Sequence, residues 1–381
     1  MRDPQLRLLR SPRDTVDVIF TSTRGAEQFD LAVAALSARR IDAALEHLSH
    51  AERAGFDFDR CAASRWTCWM LLGRFQEAWR ESDRIAARGR PDPDSLWDGA
   101  PLAGKRVIIR CLHGYGDAIQ FIRYARLVRR EASRVIVQAC PELLALLRGM
   151  PFADEVIGWH APGERIPGWD KQVEVMELAR IYRATENTIP RDVPYLRVPW
   201  RRRLNSRIPS QAHRPRVGLQ WRSSTWNPAR SVPFAALEPL LGQPGFEFYN
   251  FQRGCSPAEI CALARREIYD VSGQSPEIIE AAADLTCIDL LVTADTMMAH
   301  LAGALARPVW VLLPFESDWR WMLHRYDSPW YPTMRLFRQP TPGDWQTPVR
   351  EICRELAHWP SRSVPRPAHI PERHFACCSD R

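Results

Sequence analysis

Short apolar runs alternate with amphipathic stretches over most of the chain. In a first series, the strand-like runs RVIIRCL, RVIVQA and EVIGW are separated by the helical stretches AIQFIRYARLVRR and ELLALLRG. A second series begins at Arg216 with RVGLQW, EFYNFQ, IDLLVTA and PVWVLLPF. Strands that alternate with helices are typical of parallel sheets with crossover helices. The pattern predicts an α/β fold with two doubly wound, Rossmann-like domains that face a cleft.

The first part of the chain has a helical pattern that repeats. Ile41 aligns with Phe75 and Ala44 with Ala78, so each pair is 34 residues apart. This is the period of the tetratricopeptide repeat (TPR), in which a small Ala lets paired helices approach closely. Two interpretations stay open: a groove that docks a partner protein, or a helical cap on the domains that follow.

These patterns divide the chain into five parts. We predict a TPR-like all-α region at 1–95, a first Rossmann-like domain at 104–200, a linker at 201–215, a second Rossmann-like domain at 216–360 and an irregular tail at 361–381. The linker and the tail are assigned from their proline and polar content.

Composition narrows the class of protein. The net charge of +7 rests on arginine, since lysine occurs only at Lys105 and Lys171. Most arginines are interspersed with acidic residues, a pattern more typical of a solvated surface than of a nucleic-acid groove. The scattered cysteines, without a CxxC pair, favour reduced thiols over disulfides or a zinc site. No apolar run reaches the roughly 20 residues of a membrane helix, and the N-terminus lacks a signal peptide, so we expect a cytoplasmic protein.

Glycines and an aspartate follow the first strand of the first series. In CLHGYGDAIQF, we expect His113, Gly114, Gly116 and Gln120 to line the cleft. Glycines at such a turn let a ligand approach the backbone closely. Asp117 has two interpretations: a helix cap, or a general base that takes a proton from an acceptor hydroxyl.

The second series offers groups that suit a phosphate. The loop after its first strand carries Arg222 and Arg230, which suit a diphosphate whose charge grows as a sugar leaves, although a solvated polar loop is the alternative. In LLVTADTMMAHLAGALARPVWVLLPF, Thr296 would cap a helix and place its own N–H and that of Met297 at the cleft.

The same stretch contains two further polar residues. His300 lies one turn further along the helix, and a buried core histidine is the alternative to a ligand contact. Asp295 would repel a phosphate, so we expect it to orient the loop or a ligand hydroxyl.

Together these residues resemble bacterial glycosyltransferases of the GT-B fold related to the ADP-heptose:lipopolysaccharide heptosyltransferases (glycosyltransferase family 9), in particular members with N-terminal TPRs. The resemblance covers roughly 105–356. It is most specific in DTMMAHLAGALARPVWVLLPFESDWRW and DSPWYPTMRLFRQPTPGDW, and it extends to GYGDAIQFIRYA and TIPRDVPYL.

The resemblance implies an inverting transferase, with no required metal or cofactor, that moves a sugar from a nucleoside-diphosphate sugar to an acceptor hydroxyl. It puts Asp117 forward as the catalytic base. The residues that it implies at the donor are Arg222, Arg230, Gln252, Asp295, Thr296, Met297 and His300. Asp318, Trp319 and Arg320 would line the cleft, with packing as the alternative for the aromatic residue.

The sequence leaves the sugar and the acceptor open. A heptose is suggested only by the resemblance, and the TPR-like region favours a protein acceptor over a surface glycan. EVMELA departs from a Leu-Met-Ser-Leu-Pro-like run of many relatives, so the acceptor-side wall would differ. The alternatives are a non-catalytic TPR adaptor on a degenerate transferase body, or an epimerase or hydrolase. The presence of Asp117 together with Asp295, Thr296 and His300 favours the enzyme.

Overall fold

The computed structural model describes residues 23–88, 96–159, 168–209, 214–224, 227–273 and 275–359. The predicted tail at 361–381 lies outside these residues. No helix in the described ranges is both long and apolar enough to cross a membrane.

Four helices form the first described part of the chain. They are α1 (Thr23–Ser37), α2 (Ile41–Arg53), α3 (Phe58–Leu71) and α4 (Phe75–Ala86). Ile41 and Phe75 each begin a helix, and Ala44 and Ala78 are completely buried where neighbouring helices meet. Two helix pairs at this offset are compatible with the predicted TPR-like region.

A four-stranded parallel sheet follows. Its elements are β1 (Arg106–Arg110), α5 (Tyr115–Phe121), α6 (Ala125–Glu131), β2 (Arg134–Ala139), α7 (Pro141–Leu147), β3 (Glu155–Gly158), β4 (Lys171–Glu174), α8 (Glu177–Ile181) and α9 (Trp200–Arg203). The strand order is β3-β2-β1-β4. Val107, Ile108 and Ile109 of β1 are completely buried, as expected for a strand with layers on both faces.

A six-stranded parallel sheet contains the rest of the described strands. Its elements are β5 (Arg216–Gln220), α10 (Glu238–Leu241), β6 (Glu247–Asn250), α11 (Pro257–Ala264), β7 (Tyr269–Asp270), α12 (Ile278–Leu285), β8 (Leu290–Ala294), α13 (Met297–Ala304), β9 (Val309–Leu313), β10 (Met334–Arg338) and α14 (Gln346–Ala357). The strand order is β10-β9-β8-β5-β6-β7. The prediction of an α/β fold with parallel sheets is therefore confirmed, although β4, β7 and β10 were not predicted.

The two α/β halves contact each other through α5 and α13. A Cβ atom on Gly116 of α5 would lie 3.0 Å from Cδ2 of His300 and 3.7 Å from Cα of Met297. Nearby, the completely buried Arg123 of the first half donates a hydrogen bond from Nη1 to the Trp330 carbonyl of the second. Because these contacts are close and buried, the carboxyl ends of the two sheets are held near each other.

The helical region packs on both halves. Arg39 donates hydrogen bonds to the carbonyls of Phe315 (3.1 Å) and Ser317 (2.7 Å). The Trp66 ring meets that of Trp319 edge-on at 5.0 Å. On the other side, Trp79 Nε1 donates to the Ala184 carbonyl at 2.7 Å. These contacts fit the interpretation of a helical cap, and a docking groove for a partner stays a proposal.

The described part of the predicted linker is attached to the second half. The backbone N–H of Arg207 donates to Oδ1 of the buried Asp284 at 2.8 Å, and the Arg207 Nε donates to Oδ2 at 3.0 Å. The segment at 210–213 lies outside the described residues.

Candidate active site

A cavity of about 300 Å³ lies between the two halves, at the carboxyl ends of the strands of the second sheet. The second half supplies most of its lining, including Gln252 after β6 and Met297 at the start of α13, and the first half supplies Tyr115 and Glu142. Ligands of open α/β sheets bind at this edge. Of the donor residues predicted from the sequence, Gln252 and Met297 line the cavity.

The N-terminus of α13 is fixed by side-chain hydrogen bonds. Thr296 is its N-cap, as predicted, and its Oγ1 accepts from the N–H of Met298 at 3.2 Å. The same hydroxyl donates to Oε1 of Gln220 at 2.8 Å, and Thr293 donates to that oxygen at 2.7 Å. Gln220 was not predicted as a site residue. The one signal for it in the sequence is its position at the end of a predicted strand. This terminus is therefore held in place before any ligand binds.

His300 lies one turn into α13 and is buried. Its ring stacks on Trp321 at 5.3 Å, and its Nδ1 is 3.1 Å from the hydroxyl of Tyr331. Burial, together with the positive charges of Arg320, Arg123 and Arg230, lowers its pKa well below the ordinary value. A neutral ring whose Nδ1 accepts from Tyr331 carries its proton on Nε2, the nitrogen on the side of Gly116. His300 can then donate one hydrogen bond toward the first half.

Asp295 is a buried carboxylate beside an arginine. Its side chain is 4% exposed, and its Oδ2 lies 3.7 Å from Nη1 of Arg230. Burial and the nearby charge of Asp318 raise the pKa of Asp295 to about 6, against the opposing effect of Arg230. Within the described ranges, no group of three or more His, Cys, Asp or Glu side chains could hold a metal ion.

Arg320 connects the two halves. Its Nη2 contacts Oδ1 of Asp117, and its Nε donates to Oε1 of Gln120 at 2.8 Å, both in the first half. Its Nη1 donates to both oxygens of Asp318 at 3.0 Å. Burial opposes its charge, but Asp318 and Asp117 together raise the pKa of Arg320, so it keeps its proton. A permanent positive charge therefore lies where the halves meet.

Trp319 packs under this arginine. Its ring lies 4.6 Å from the Arg320 guanidinium and also contacts Trp66 and Trp330. These contacts agree with the packing interpretation of this residue.

Asp117, the predicted base, has both oxygens engaged. Oδ2 accepts from the N–H of Gly114 at 3.2 Å, which makes Asp117 a cap of its own helix, and Oδ1 is held by Arg320. Its side chain is 26% exposed and meets Arg320 where the two halves contact each other. The structure therefore shows the capping role directly, and the role of base stays a prediction.

Gln252 and Arg222 are used within the protein. Gln252 Oε1 accepts from the N–H of Arg222 at 2.7 Å, and its Nε2 donates to the Arg253 carbonyl at 2.7 Å. Arg222 Nη2 contacts both oxygens of Glu259 at 2.6 Å, and Arg222 is not among the residues that line the cavity. These two residues hold the loop after β5, so a direct contact of Arg222 with a diphosphate stays a prediction.

A second carboxylate lies at the carboxyl edge of the first sheet. Glu174 ends β4, and its Oε2 accepts from the N–H of Met176 at 2.6 Å. Its Oε1 is buried with no hydrogen-bond partner and lies 3.9 Å from Nε2 of His113. Burial raises the pKa of Glu174 to about 7. Glu174 was not predicted from the sequence, although it begins the divergent EVMELA segment.

Comparison with known proteins gives relatives at low identity. No family model matches the chain. Protein FlbA of Caulobacter vibrioides is 27% identical over 337 residues, which cover 77% of this chain and 54% of FlbA. The chain thus spans about half the length of the curated relative that it matches.

Solved structures with a partial likeness are glycosyltransferases. They include glycosyl transferase family 9 from Veillonella parvula (12% identity, 72% of this chain and 94% of that chain, TM-score 0.45). The E. coli ADP-heptose LPS heptosyltransferase II is 16% identical, over 66% of this chain and 97% of that chain, at a TM-score of 0.47. The dodecameric iron-containing glycosyltransferase TibC of enterotoxigenic E. coli is 15% identical, over 65% of this chain and 66% of that chain, at a TM-score of 0.44. At these values the likenesses assign neither a family nor an activity to this chain.

Proposed function

We propose that this protein is an inverting glycosyltransferase of GT-B architecture, which moves a sugar from a nucleoside-diphosphate sugar to an acceptor hydroxyl. The observation that carries the proposal is the capped N-terminus of α13 beside a cavity of about 300 Å³ at the carboxyl ends of the second sheet. Backbone N–H groups and the helix dipole at such a terminus favour a phosphate. Arg320 and Arg230 add positive charge close enough to His300 to lower its pKa.

The lining of the cavity suits a nucleoside. Phe251, Ile278 and Met298 offer an apolar wall, while Tyr115 and Ser272 offer polar groups. Apolar lining with a few polar groups is typical of small-molecule sites. We therefore assign the base and ribose to this cavity and the diphosphate to the N-terminus of α13.

In the proposed reaction, charged groups at the contact between the two halves stabilise the leaving diphosphate. The acceptor oxygen bonds to the anomeric carbon of the donor, while the bond from that carbon to the diphosphate breaks and its electron pair leaves with the diphosphate. Arg230 and the Nε2–H of His300 offset the charge that develops there, and Arg320 contributes from the same side. No metal or cofactor is needed for this step. The acceptor's proton goes to a base on the first half, for which the sequence predicts Asp117.

The substrate classes are proposed from the resemblance and from the helical region. The resemblance suggests a heptose as the sugar. The helices at 23–86 would dock a protein acceptor, with a surface glycan as the other candidate.

The proposal is tested by thermal shift of the purified chain against ADP, GDP, UDP, CDP and dTDP and their sugar conjugates, with a chelator present. We expect one nucleotide to give a saturable rise in Tm. Thr296→Ala should lose most of that rise because it releases the N-terminus of α13. Asp57→Ala is the matched control, since Asp57 caps α3 by accepting from the N–H of Arg60 at 2.9 Å and is not among the residues that line the cavity.

Both variants lose a helix cap, at about 1 kcal/mol each, so their unliganded Tm values should fall by similar amounts. Only Thr296→Ala should also lose the nucleotide response. If no nucleotide at millimolar concentration stabilises the wild type, the donor site does not exist and the adaptor alternative takes its place.

A further inference from the structure

Glu174 carries a carboxylate oxygen that the protein leaves unused. Oε2 is held by the N–H of Met176, whereas Oε1 is buried with no hydrogen-bond partner. A buried carboxylate oxygen without a partner is costly and is found where it serves a function. Because Glu174 ends β4, directly beside β1, this oxygen lies at the edge of the first sheet that faces the cleft.

His113 is the group that faces this oxygen. Its Nε2 lies 3.9 Å from Oε1 of Glu174, and its side chain is 57% exposed. A small rotation of the exposed ring closes this distance to a hydrogen bond. An imidazole that donates from Nε2 to a carboxylate has its other nitrogen, Nδ1, free to accept a proton.

Both acidic and basic groups surround Glu174. Asp117 and Glu177 lie close enough to raise its pKa, although burial is the larger cause. The titratable or charged groups that face it from neighbouring elements are Arg110 on β1, Cys111 and His113 after it, Asp117 on α5 and Glu177 on α8. Of these acids, Glu174 is the one that faces the His113 ring, since Asp117 is paired with Arg320 and Glu177 with Arg180.

We propose that His113 takes the proton of the acceptor hydroxyl during transfer. Glu174 is then the positioning residue, which orients the His113 ring and stabilises the positive charge that the ring gains. This inference rests on the proposed glycosyltransferase function. It differs from the assignment of Asp117, whose two oxygens are engaged by Gly114 and Arg320. In this arrangement Asp117 holds Arg320 in place.

The step balances without any further reactant. The acceptor O–H bond breaks as its proton moves to Nδ1 of His113, and the acceptor oxygen forms the new bond to the anomeric carbon. The electron pair of the old glycosidic bond leaves with the diphosphate. The imidazolium so formed is paired with Glu174 and returns its proton to solvent, since the ring is exposed.

The test measures transfer with the full chain and the donor identified by thermal shift. His113→Ala should lower kcat by roughly 10²–10⁴-fold, the usual contribution of a general base, with the nucleotide Kd unchanged. Imidazole added to the buffer should restore part of the rate, because the vacated site is open to solvent. His50→Ala, an exposed histidine on α2, is the control and should keep the wild-type rate.

Glu174→Gln tests the positioning role. The wild-type rate should fall as pH drops through about 7, where Glu174 gains a proton, and this dependence should shift in the variant. Glu155→Gln, at the start of β3 in a surface pair with Arg134, should keep the wild-type pH profile.

Three outcomes separate the claims. Loss of rate in His113→Ala with imidazole rescue supports the inference. A His113→Ala rate within a few-fold of wild type, with Asp117→Asn inactive at unchanged nucleotide Kd, overturns it and leaves the transferase intact. Failure of the wild type to bind any nucleotide overturns the proposed function itself, whatever the variants do.

Discussion

The N-terminus of α13, at the carboxyl edge of the second sheet, and Glu174, at that of the first, differ in how completely their polar groups are satisfied. At the second edge, Gln220 and Gln252 tie the helix terminus and the loop after β5 together through hydrogen bonds of 2.6–2.8 Å. At the first edge, Gln120 Nε2 and Glu174 Oε1 are buried without a partner. The charge partner of Asp117 is Arg320, which comes from the second half.

This difference separates two tasks. An anion site works best when its donors are fixed in advance, since no reorganisation is then needed as charge develops. A site that moves a proton needs a group whose hydrogen bonds are not yet complete. The N-terminus of α13 has the first property and Glu174 has the second, which agrees with the donor binding proposed for the one and the proton transfer proposed beside the other.

The variant with the largest expected effect, Arg320→Ala, removes the side chain that connects the two edges. Arg320→Ala leaves Asp117 and Asp318 without their shared partner next to the buried Asp295. Because Arg320 is buried but its two acid partners are 26% and 30% exposed, we expect a loss in the free energy of unfolding above the roughly 1 kcal/mol of a surface pair and up to about 3 kcal/mol. Urea denaturation at pH 7.5 measures this loss.

Arg134→Ala is the matched control for Arg320→Ala. Its pair with Glu155 is at the surface, with side chains 50% and 33% exposed, so we expect a change of about 1 kcal/mol or less. Equal losses of unfolding free energy in the two variants would mean that Arg320 contributes no more than an ordinary surface ion pair. The two edges would then not be coupled through Arg320.

A middle-sized effect concerns the buried acid of the second edge. The pKa of Asp295 is about 6 in the folded protein, above the ordinary 3.8, so the unfolded state binds fewer protons between these values. The free energy of unfolding therefore falls as pH rises through this window, and the penalty is fully present above about 6. Asp295→Asn should raise stability at pH 8 by about 1 kcal/mol or more and change it little at pH 4.

Asp170→Asn is the control of opposite sign for Asp295→Asn. Arg106 lowers the pKa of Asp170 to about 2, so its ionised form stabilises the folded state at neutral pH and the variant should be less stable there. Chemical denaturation at both pH values measures both variants. A destabilised Asp295→Asn at pH 8 would contradict the buried-charge account of the second edge.

The second edge was easier to predict than the first. The Thr296 cap depends on residues next to each other in sequence, and the five buried positions of β8 give an unbroken apolar run. By contrast, β4 has one fully buried position and β7 has none, so neither gives a run to recognise. The contact of Arg320 with Asp117 joins residues 203 positions apart and depends on how the halves dock. No local pattern contains that information.

The smallest expected effect on stability tests the contact between the edges. Gly116→Ala adds a Cβ about 3.0 Å from the His300 ring, which is held by Trp321 and Tyr331 and has little room to move. The gain of up to about 1 kcal/mol from replacing a helical glycine offsets part of the strain, so we expect a net change in unfolding free energy below about 1 kcal/mol. Nucleotide affinity should nevertheless fall several-fold, because the added methyl group pushes α13 away from α5. Gly149→Ala, whose Cβ would lie 3.6 Å from the Arg197 carbonyl, should leave affinity unchanged. If titration calorimetry finds the same Kd for Gly116→Ala and the wild type, the donor site does not depend on the approach of the first half.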